Sequence, residues 1–333
     1  MRIGMNPQKK EKKIELQFHH RLIIVVFIPS LEGYYKNVFD VFKLCLQSAS
    51  TTSDSNCAIT IVNNASCIEV QNYLNKQFEN KTINCLINHN ENIGKMDALI
   101  GAAKSSREPL ITLSDVDILF KQGWQSEVEK IFINFENVGS VSPIPCRKIM
   151  NYGTTSTLQK IILKKLKLTF EKINENFDDH NKYLKSINWE QEEDSELKWP
   201  VIQYKNIKAI LGSGHQIMTI NRKIFFKYVP VEPSLTLVGN QSEFIYCDQP
   251  IDFSGGLRLA TYNNFAYHMG NTVETWMLEV QNKNLKETKQ TFLAPKDYKR
   301  IKFINRKRIK LLFFMKQRII VKLFRLFYLN NIK

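Results

Sequence analysis

The sequence predicts an α/β fold, a mostly parallel sheet with helices on both faces, and three observations carry that prediction. Short β-rich apolar runs alternate with segments of helical periodicity through residues 22–113. The first run, residues 22–29 (LIIVVFIP), is apolar throughout, as befits a strand covered on both faces. Two of the runs end in polar clusters, Asn63-Asn64-Ala65-Ser66 and Ser114-Asp115-Val116-Asp117. Right-handed crossovers bring the carboxyl ends of parallel strands to one edge, where ligands bind, so the two clusters are expected to face one crevice.

The elements follow in order. After the first strand, residues 38–49 place Val38, Val41, Phe42, Cys45 and Leu46 at helical spacing. Residues 57–62 (CAITIV) read as the second strand, 68–78 as a helix and 82–87 as the third strand. Residues 94–103 give a helix and 109–113 the fourth strand. Beyond Pro145 the pattern weakens. Residues 157–173 read as a Lys-rich helical stretch. Residues 178–196, with Glu190, Glu192, Glu193, Asp194 and Glu196 crowded together, read as a solvated loop or lid. A strand at 207–211, the turn Gly212-Ser213-Gly214, a strand at 216–220 and a capped helix at 221–228 resume the earlier grammar. The expected organisation is a basic N-terminal extension (1–20), a main domain (21–280) carrying a helical and acidic insertion (150–205), and a basic C-terminal tail (281–333).

The net charge of +15 belongs to the ends. Residues 296–333 hold 13 Lys and Arg against Asp297 alone, and residues 1–21 hold 6 against Glu11 and Glu15, so the body is close to neutral. No nucleic-acid recognition motif accompanies the charge, which argues against that partner. In the tail, Ile309, Leu312, Phe313, Ile319, Ile320, Leu323, Phe324 and Phe327 alternate with basic residues. That pattern suits an anionic membrane surface, or a helix packed on the domain. The six cysteines form no C-x-x-C pair and sit mostly in apolar runs, so buried reduced thiols are expected. No signal-peptide core or spanning run is evident, which predicts a cytoplasmic protein, peripheral on the inner membrane face.

Two carboxylates one residue apart at a strand end, Asp115 and Asp117, suit Mg²⁺ or Mn²⁺ and a diphosphate, although a turn or helix cap uses the same residues. Lys95 opens a helix after Gly94, where a first-turn lysine is ordinarily exposed. His268 lies between Tyr267 and Met269 and, taken singly, reads as a satisfied core or surface residue. Small residues at Gly212-Ser213-Gly214-His215 permit close approach to a ligand or a plain tight turn. Trp124 and Trp276 are read as core, with sugar stacking as the alternative.

With Asn63-Asn64-Ala65-Ser66, Asn92-Ile93-Gly94-Lys95 and Asp115-Val116-Asp117 in this order, the chain resembles the family 2 glycosyltransferases of GT-A fold over residues 22–120. A further patch runs from Gly212 to Asn271. The resemblance implies transfer of a sugar from a nucleoside-diphosphate donor to an acceptor hydroxyl with inversion, in surface polysaccharide or glycan synthesis on a glycan or lipid-linked acceptor. It implies that Pro29, Ser30 and Asn63 border the base, that Lys95 holds the diphosphate, and that Asp115 faces ribose or metal. It implies further that Asp117 and His268 bind the metal and that Asp252, six residues before Arg258, is the catalytic base, with Asp248 or Glu243 as substitutes. Asn63, Ile100 and Ile251 depart from the family pattern, which keeps open an inactive scaffold subunit. A nucleotidyltransferase is the rival enzyme, and residues 29–34 lack its Gly-rich loop.

Overall fold

The computed structural model describes residues 4–10, 13–287, 298, 301–303 and 310–329. The first strands follow the predicted alternation: β1 (His20–Val26), α1 (Val38–Thr52), β2 (Cys57–Asn64), α2 (Ile68–Glu79), β3 (Cys85–His89), α3 (Lys95–Ser105) and β4 (Leu110–Ser114). β5 (Ile118–Phe120), α4 (Trp124–Asn134), β6 (Val138–Ser142) and α5 (Thr155–Ile162) come next. Then come β7 (Lys167–Lys172), α6 (Asn174–Ser186), β8 (Lys198–Tyr204), β9 (Ile207–Leu211), β10 (Ile217–Asn221) and α7 (Lys223–Lys227). The chain continues with α8 (Gln249–Phe253), β11 (Leu257–Ala260), β12 (Ala266–His268), α9 (Thr275–Lys286) and α10 (Lys310–Phe324).

Ten strands form one sheet in the order β3-β2-β1-β4-β10-β6-β11-β9-β8-β7, and β12 pairs with β5 apart from it. Strands β3, β2, β1, β4, β6, β11 and β8 run in one sense, and β10, β9 and β7 run against them. The result is a mixed sheet with a mostly parallel core. The continuous apolar character of β1 has the expected cause. Leu22, Ile24 and Val26 pack with α1 on one face, while Ile23 and Val25 pack with α3 on the other. Truncating such a residue to Ala costs about 2–5 kcal/mol.

The region after Pro145 departs from the reading of its sequence. Residues 157–173 are not one helix: α5 ends at Ile162 and the chain returns as strand β7. The segment Lys167–Lys172 is the edge strand of the sheet, half-buried between exposed lysines at its two ends, so it shows no clear period of two in the sequence. The acidic stretch 178–196 is helical as far as Ser186. Asn176, His180, Tyr183 and Leu184 form a buried stripe at helical spacing, and only the following residues are loop.

All six cysteines are free, and four of them are buried. Burial pushes the Cys146 thiol up to about 11 and those of Cys45, Cys57 and Cys247 further, which keeps them protonated. Among the described residues no helix is long and apolar enough to cross a membrane. The tail packs on the body: Phe324 of α10 is fully buried beside Leu158 and Ile161 of α5.

Candidate active site

A cleft of about 280 Å³ opens at the carboxyl ends of β1, β2 and β4. Val25 and Phe27 line it from β1, Asn64 from β2, Asn92 and Lys95 from the start of α3, and Asp115 and Asp117 from the turn after β4. The two polar clusters read from the sequence do share one crevice.

Lys95 is the cationic centre of the cleft wall. Its Nζ lies 2.7 Å from Asp115 Oδ1 and 3.7 Å from Glu243 Oε1. Burial disfavours its charge, but the carboxylates of Asp115, Glu243 and Asp117 outweigh that and hold the ammonium pKa above its ordinary value. Its backbone N–H donates to the Leu237 carbonyl at 2.9 Å. Gly94, at φ +92°, lets that segment close in, since a Cβ there would lie 2.3 Å from the Thr236 oxygen.

Asp117 and His268 are far apart in sequence and adjacent in space because β12 pairs antiparallel with β5, placing His268 opposite Ile118. The Met269 N–H donates to the Asp117 carbonyl at 2.8 Å, which locks the register. His268 Nε2 stands 3.2 Å from Asp117 Oδ2, and its Nδ1 is 2.9 Å from the Ser186 hydroxyl, which serves either tautomer. Asp117 Oδ1 is buried without a hydrogen-bond partner. Burial pushes the Asp117 carboxyl pKa up; His268 and Lys95 oppose this and Asp115 adds to it. A buried carboxylate with one unsatisfied oxygen, beside an imidazole nitrogen, fits a hard divalent cation. Among the described residues no group of three or more His, Cys, Asp or Glu converges as a metal cage, so water or ligand oxygens would complete any shell. Asp115 Oδ1 faces the Lys95 ammonium, while Asp117 and His268 stand as a second pair able to share a cation.

Several expected residues lie elsewhere. Asn63 does not line the cleft: its amide donates to Gln71 and Asn88, and its oxygen accepts the Ser66 N–H. The cleft residue is its neighbour Asn64, which donates to Asn92 and accepts from the Ile93 N–H. Successive strand residues face opposite ways, so a one-position choice within the motif decided the outcome. Pro29 is exposed and Ser30 half-buried beyond the wall that Val25 and Phe27 make.

Asp252 is not at the cleft either. It is 2% exposed, and its oxygens accept the backbone N–H groups of Thr155 at 3.0 Å and Ser156 at 2.6 Å. It caps the N-terminus of α5, where a carboxylate satisfies orphan donors and the helix dipole. Burial pushes its pKa up, and those N–H bonds with Arg258 pull back. With both oxygens bonded, it is not placed to take a substrate proton.

Of the substitutes, Asp248 is fully buried, and Glu243 reaches the cleft beside Lys95. Ile100 and Ile251 are core residues. Trp124 is fully buried and Trp276 packs on Tyr267. Gly212, at φ +105°, fits tightly against the Ile149 carbonyl as a turn.

No protein-family model and no curated protein matches the chain. Solved structures are similar to it at low levels. The crystal structure of S. aureus TarS 1–349 aligns with a TM-score of 0.43 and 10% identity over 76% of this chain and 60% of that one. The mannosyltransferase PcManGT from Pyrobaculum calidifontis, in complex with GDP-Man and Mn²⁺, aligns at 0.40 and 13% over 75% and 55%. GalNAc-T7 with UDP, GalNAc and Mn²⁺ aligns at 0.45 and 11% over 82% and 48%. The chain spans less than two thirds of each of these proteins. Likeness at this level carries no argument about activity. The α/β architecture stands on the chain's own strand order and on helices covering both faces of the sheet.

Proposed function

We propose that the chain is a glycosyltransferase that moves a sugar from a nucleoside-diphosphate donor to an acceptor hydroxyl. The observation that carries this function is the convergence of Lys95, Asp115 and Asp117 on one cleft at the carboxyl ends of parallel strands, with His268 against Asp117. A carboxylate oxygen of Asp117 that is buried without a partner, in the same cleft as the half-buried Lys95, supports a site for a cation and a phosphate-bearing ligand.

Asp117 and His268 would hold Mn²⁺ or Mg²⁺, which supplies charge neutralisation at the departing diphosphate. Lys95 offers a second positive charge to the phosphates, exchanging Asp115 for a phosphate oxygen. Asn64 and Asn92 present amides at the end of β2, where the nucleoside would lie. The acceptor attacks the anomeric carbon from the face opposite the diphosphate, so the sugar inverts through an oxocarbenium-like transition state.

The tail supports a peripheral place on an anionic membrane, with a lipid-linked or surface-glycan acceptor. With Phe324 turned inward, α10 and the residues after it expose Ile319 (60%), Leu326 (56%) and Phe327 (56%) beside Lys316, Arg318, Lys322 and Arg325. Each basic residue near such a surface contributes about 1 kcal/mol. Deleting the tail would open the core at Phe324, so charge reversal at Lys316, Arg318 and Lys322 is the cleaner probe. Sedimentation with phosphatidylserine vesicles is expected to fall in that variant, and unchanged binding would remove the tail from this role.

The function itself is tested with a panel of UDP- and GDP-sugars and water as acceptor. Slow, metal-stimulated release of one nucleoside diphosphate is expected. Nucleotide binding without release would favour a binding subunit, and pyrophosphate formation from a sugar phosphate and a nucleoside triphosphate would favour a nucleotidyltransferase.

A further inference from the structure

Beside the cleft lies a buried charged pair that the proposed function does not use. Asp248 and Arg258 are both fully buried, and Arg258 Nη2 donates to Asp248 Oδ1 at 2.6 Å. Taking two ions out of water costs several kcal/mol each, repaid only when their remaining donors and lone pairs are engaged. Arg258 donates also to the Ser213 carbonyl and to Ser213 Oγ. The guanidinium passes Gly153, at φ +60°, where a Cβ would fall 2.4 Å from Nη1.

A pair made only for stability would offer both carboxylate oxygens to the guanidinium fork. Asp248 offers one. Its Oδ2 lies 3.1 Å from Nδ1 of His215, a side chain that is 30% exposed. An ionised carboxylate only accepts hydrogen bonds, so Nδ1 is the donor to Asp248, and in the neutral ring Nε2 is the nitrogen that carries the lone pair. The imidazole is therefore aimed: its proton points inward, and its basic nitrogen is left for a ligand.

What surrounds the ring ties it to the cleft. The Tyr152 ring lies 6.5 Å from His215 and 5.4 Å from Phe244, and both aromatics are partly exposed. Phe244 follows Glu243, which faces Lys95. Gln216, next to His215, accepts the Asp115 N–H at 2.8 Å. His215 thus stands at the same end of β4 and β10 as the acidic cluster. Glu243 is engaged with Lys95 at 3.7 Å, whereas His215 has one ring nitrogen on a buried carboxylate and the other left over.

The geometry points to His215 as the group that takes the proton from the acceptor hydroxyl, with Asp248 as its positioning residue. This assignment rests on the glycosyl-transfer function proposed above. As the acceptor oxygen bonds to the anomeric carbon, the bond from that carbon to the diphosphate oxygen breaks. The electron pair leaves with the nucleoside diphosphate, and the acceptor proton ends on Nε2, where Asp248 stabilises the imidazolium.

The test uses the full chain, water as acceptor, and UDP-glucose, UDP-N-acetylglucosamine and GDP-mannose as donors, with calorimetry on UDP and GDP. In His215→Ala, donor hydrolysis is expected to fall about 100-fold or more. Nucleoside-diphosphate affinity should move by less than about twofold, and added imidazole should restore part of the rate. Asp248→Asn is expected to show a smaller loss of rate at unchanged affinity. A His215→Ala rate within about threefold of wild type, or equal losses of rate and nucleotide affinity, overturns the assignment. Loss of rate in Glu243→Gln alone moves the base to Glu243. A wild-type chain that neither binds nucleoside diphosphate nor hydrolyses any donor fails differently, removing the transferase function and this assignment with it.

Discussion

In the half of the sheet formed by β3, β2, β1 and β4, helices connect parallel strands, and the polar residues after each strand turn toward the cleft. In the half formed by β6, β11, β9, β8 and β7, the strand lysines are exposed, and the buried charged groups, Asp252 beside it and Arg258 in β11, are bonded within the protein. Asp117 and Asp252 show the contrast best. Both are buried carboxylates and both are raised in pKa by that burial. Asp252 has backbone N–H groups on both oxygens, whereas Asp117 keeps one oxygen without a partner. A satisfied carboxylate holds the fold, and an unsatisfied one facing a cleft awaits a ligand.

Replacing each carboxylate should separate the two roles. Asp117→Asn is expected to lower donor hydrolysis by roughly 100-fold or more while thermal stability holds, because a neutral amide relieves repulsion with Asp115. Asp252→Ala should do the reverse, losing about 2 kcal/mol in denaturant unfolding with turnover per folded molecule unchanged. A large loss of turnover in folded Asp252→Ala would erase the distinction. Lys95→Gln, on the donor side, is expected to weaken nucleoside-diphosphate binding about tenfold, as loss of one charge-assisted contact does. Calorimetry reads that value directly.

The far half also carries a pH dependence, spread over several pH units. Burial, with Lys148 and Arg147 nearby, lowers the His180 pKa from 6.5 to about 4. The unfolded chain then binds the proton more readily, so stability is lost as pH falls from 6.5 toward 4, by at most ~1.4 kcal/mol per unit. His180→Phe should flatten that slope in a melting series. An unchanged slope would place the acid sensitivity elsewhere.

The parallel half was legible because its signals are local. The run from Leu22 onward declares a strand covered on both faces, and Asp115 and Asp117 follow a strand directly. The pairing of Asp117 with His268 was anticipated, although its cause, the β5–β12 ladder, rests on contacts nearly 150 residues apart. The far half was less legible for the same reason. Lysines on an edge strand hid β7, and acidic residues hid the buried stripe of α6. Asp252 sat at the right distance from Arg258, yet spacing carries no information about which N–H groups a carboxylate meets. Asn64 was missed in favour of Asn63 because strand alternation fixes the face only once the register is known. His215 carried a signal, a histidine after Gly-Ser-Gly, but its buried partner Asp248 lies 33 residues on.

The central claim is that Lys95, Asp117 and His268 form a metal-assisted diphosphate site, and titration calorimetry of UDP and GDP with and without Mn²⁺ tests it most directly. Binding of one nucleotide that strengthens about tenfold or more with Mn²⁺, and loses that gain in Asp117→Asn, is the predicted result. Binding indifferent to Mn²⁺ in both wild type and Asp117→Asn, or no binding of either nucleotide, would contradict it.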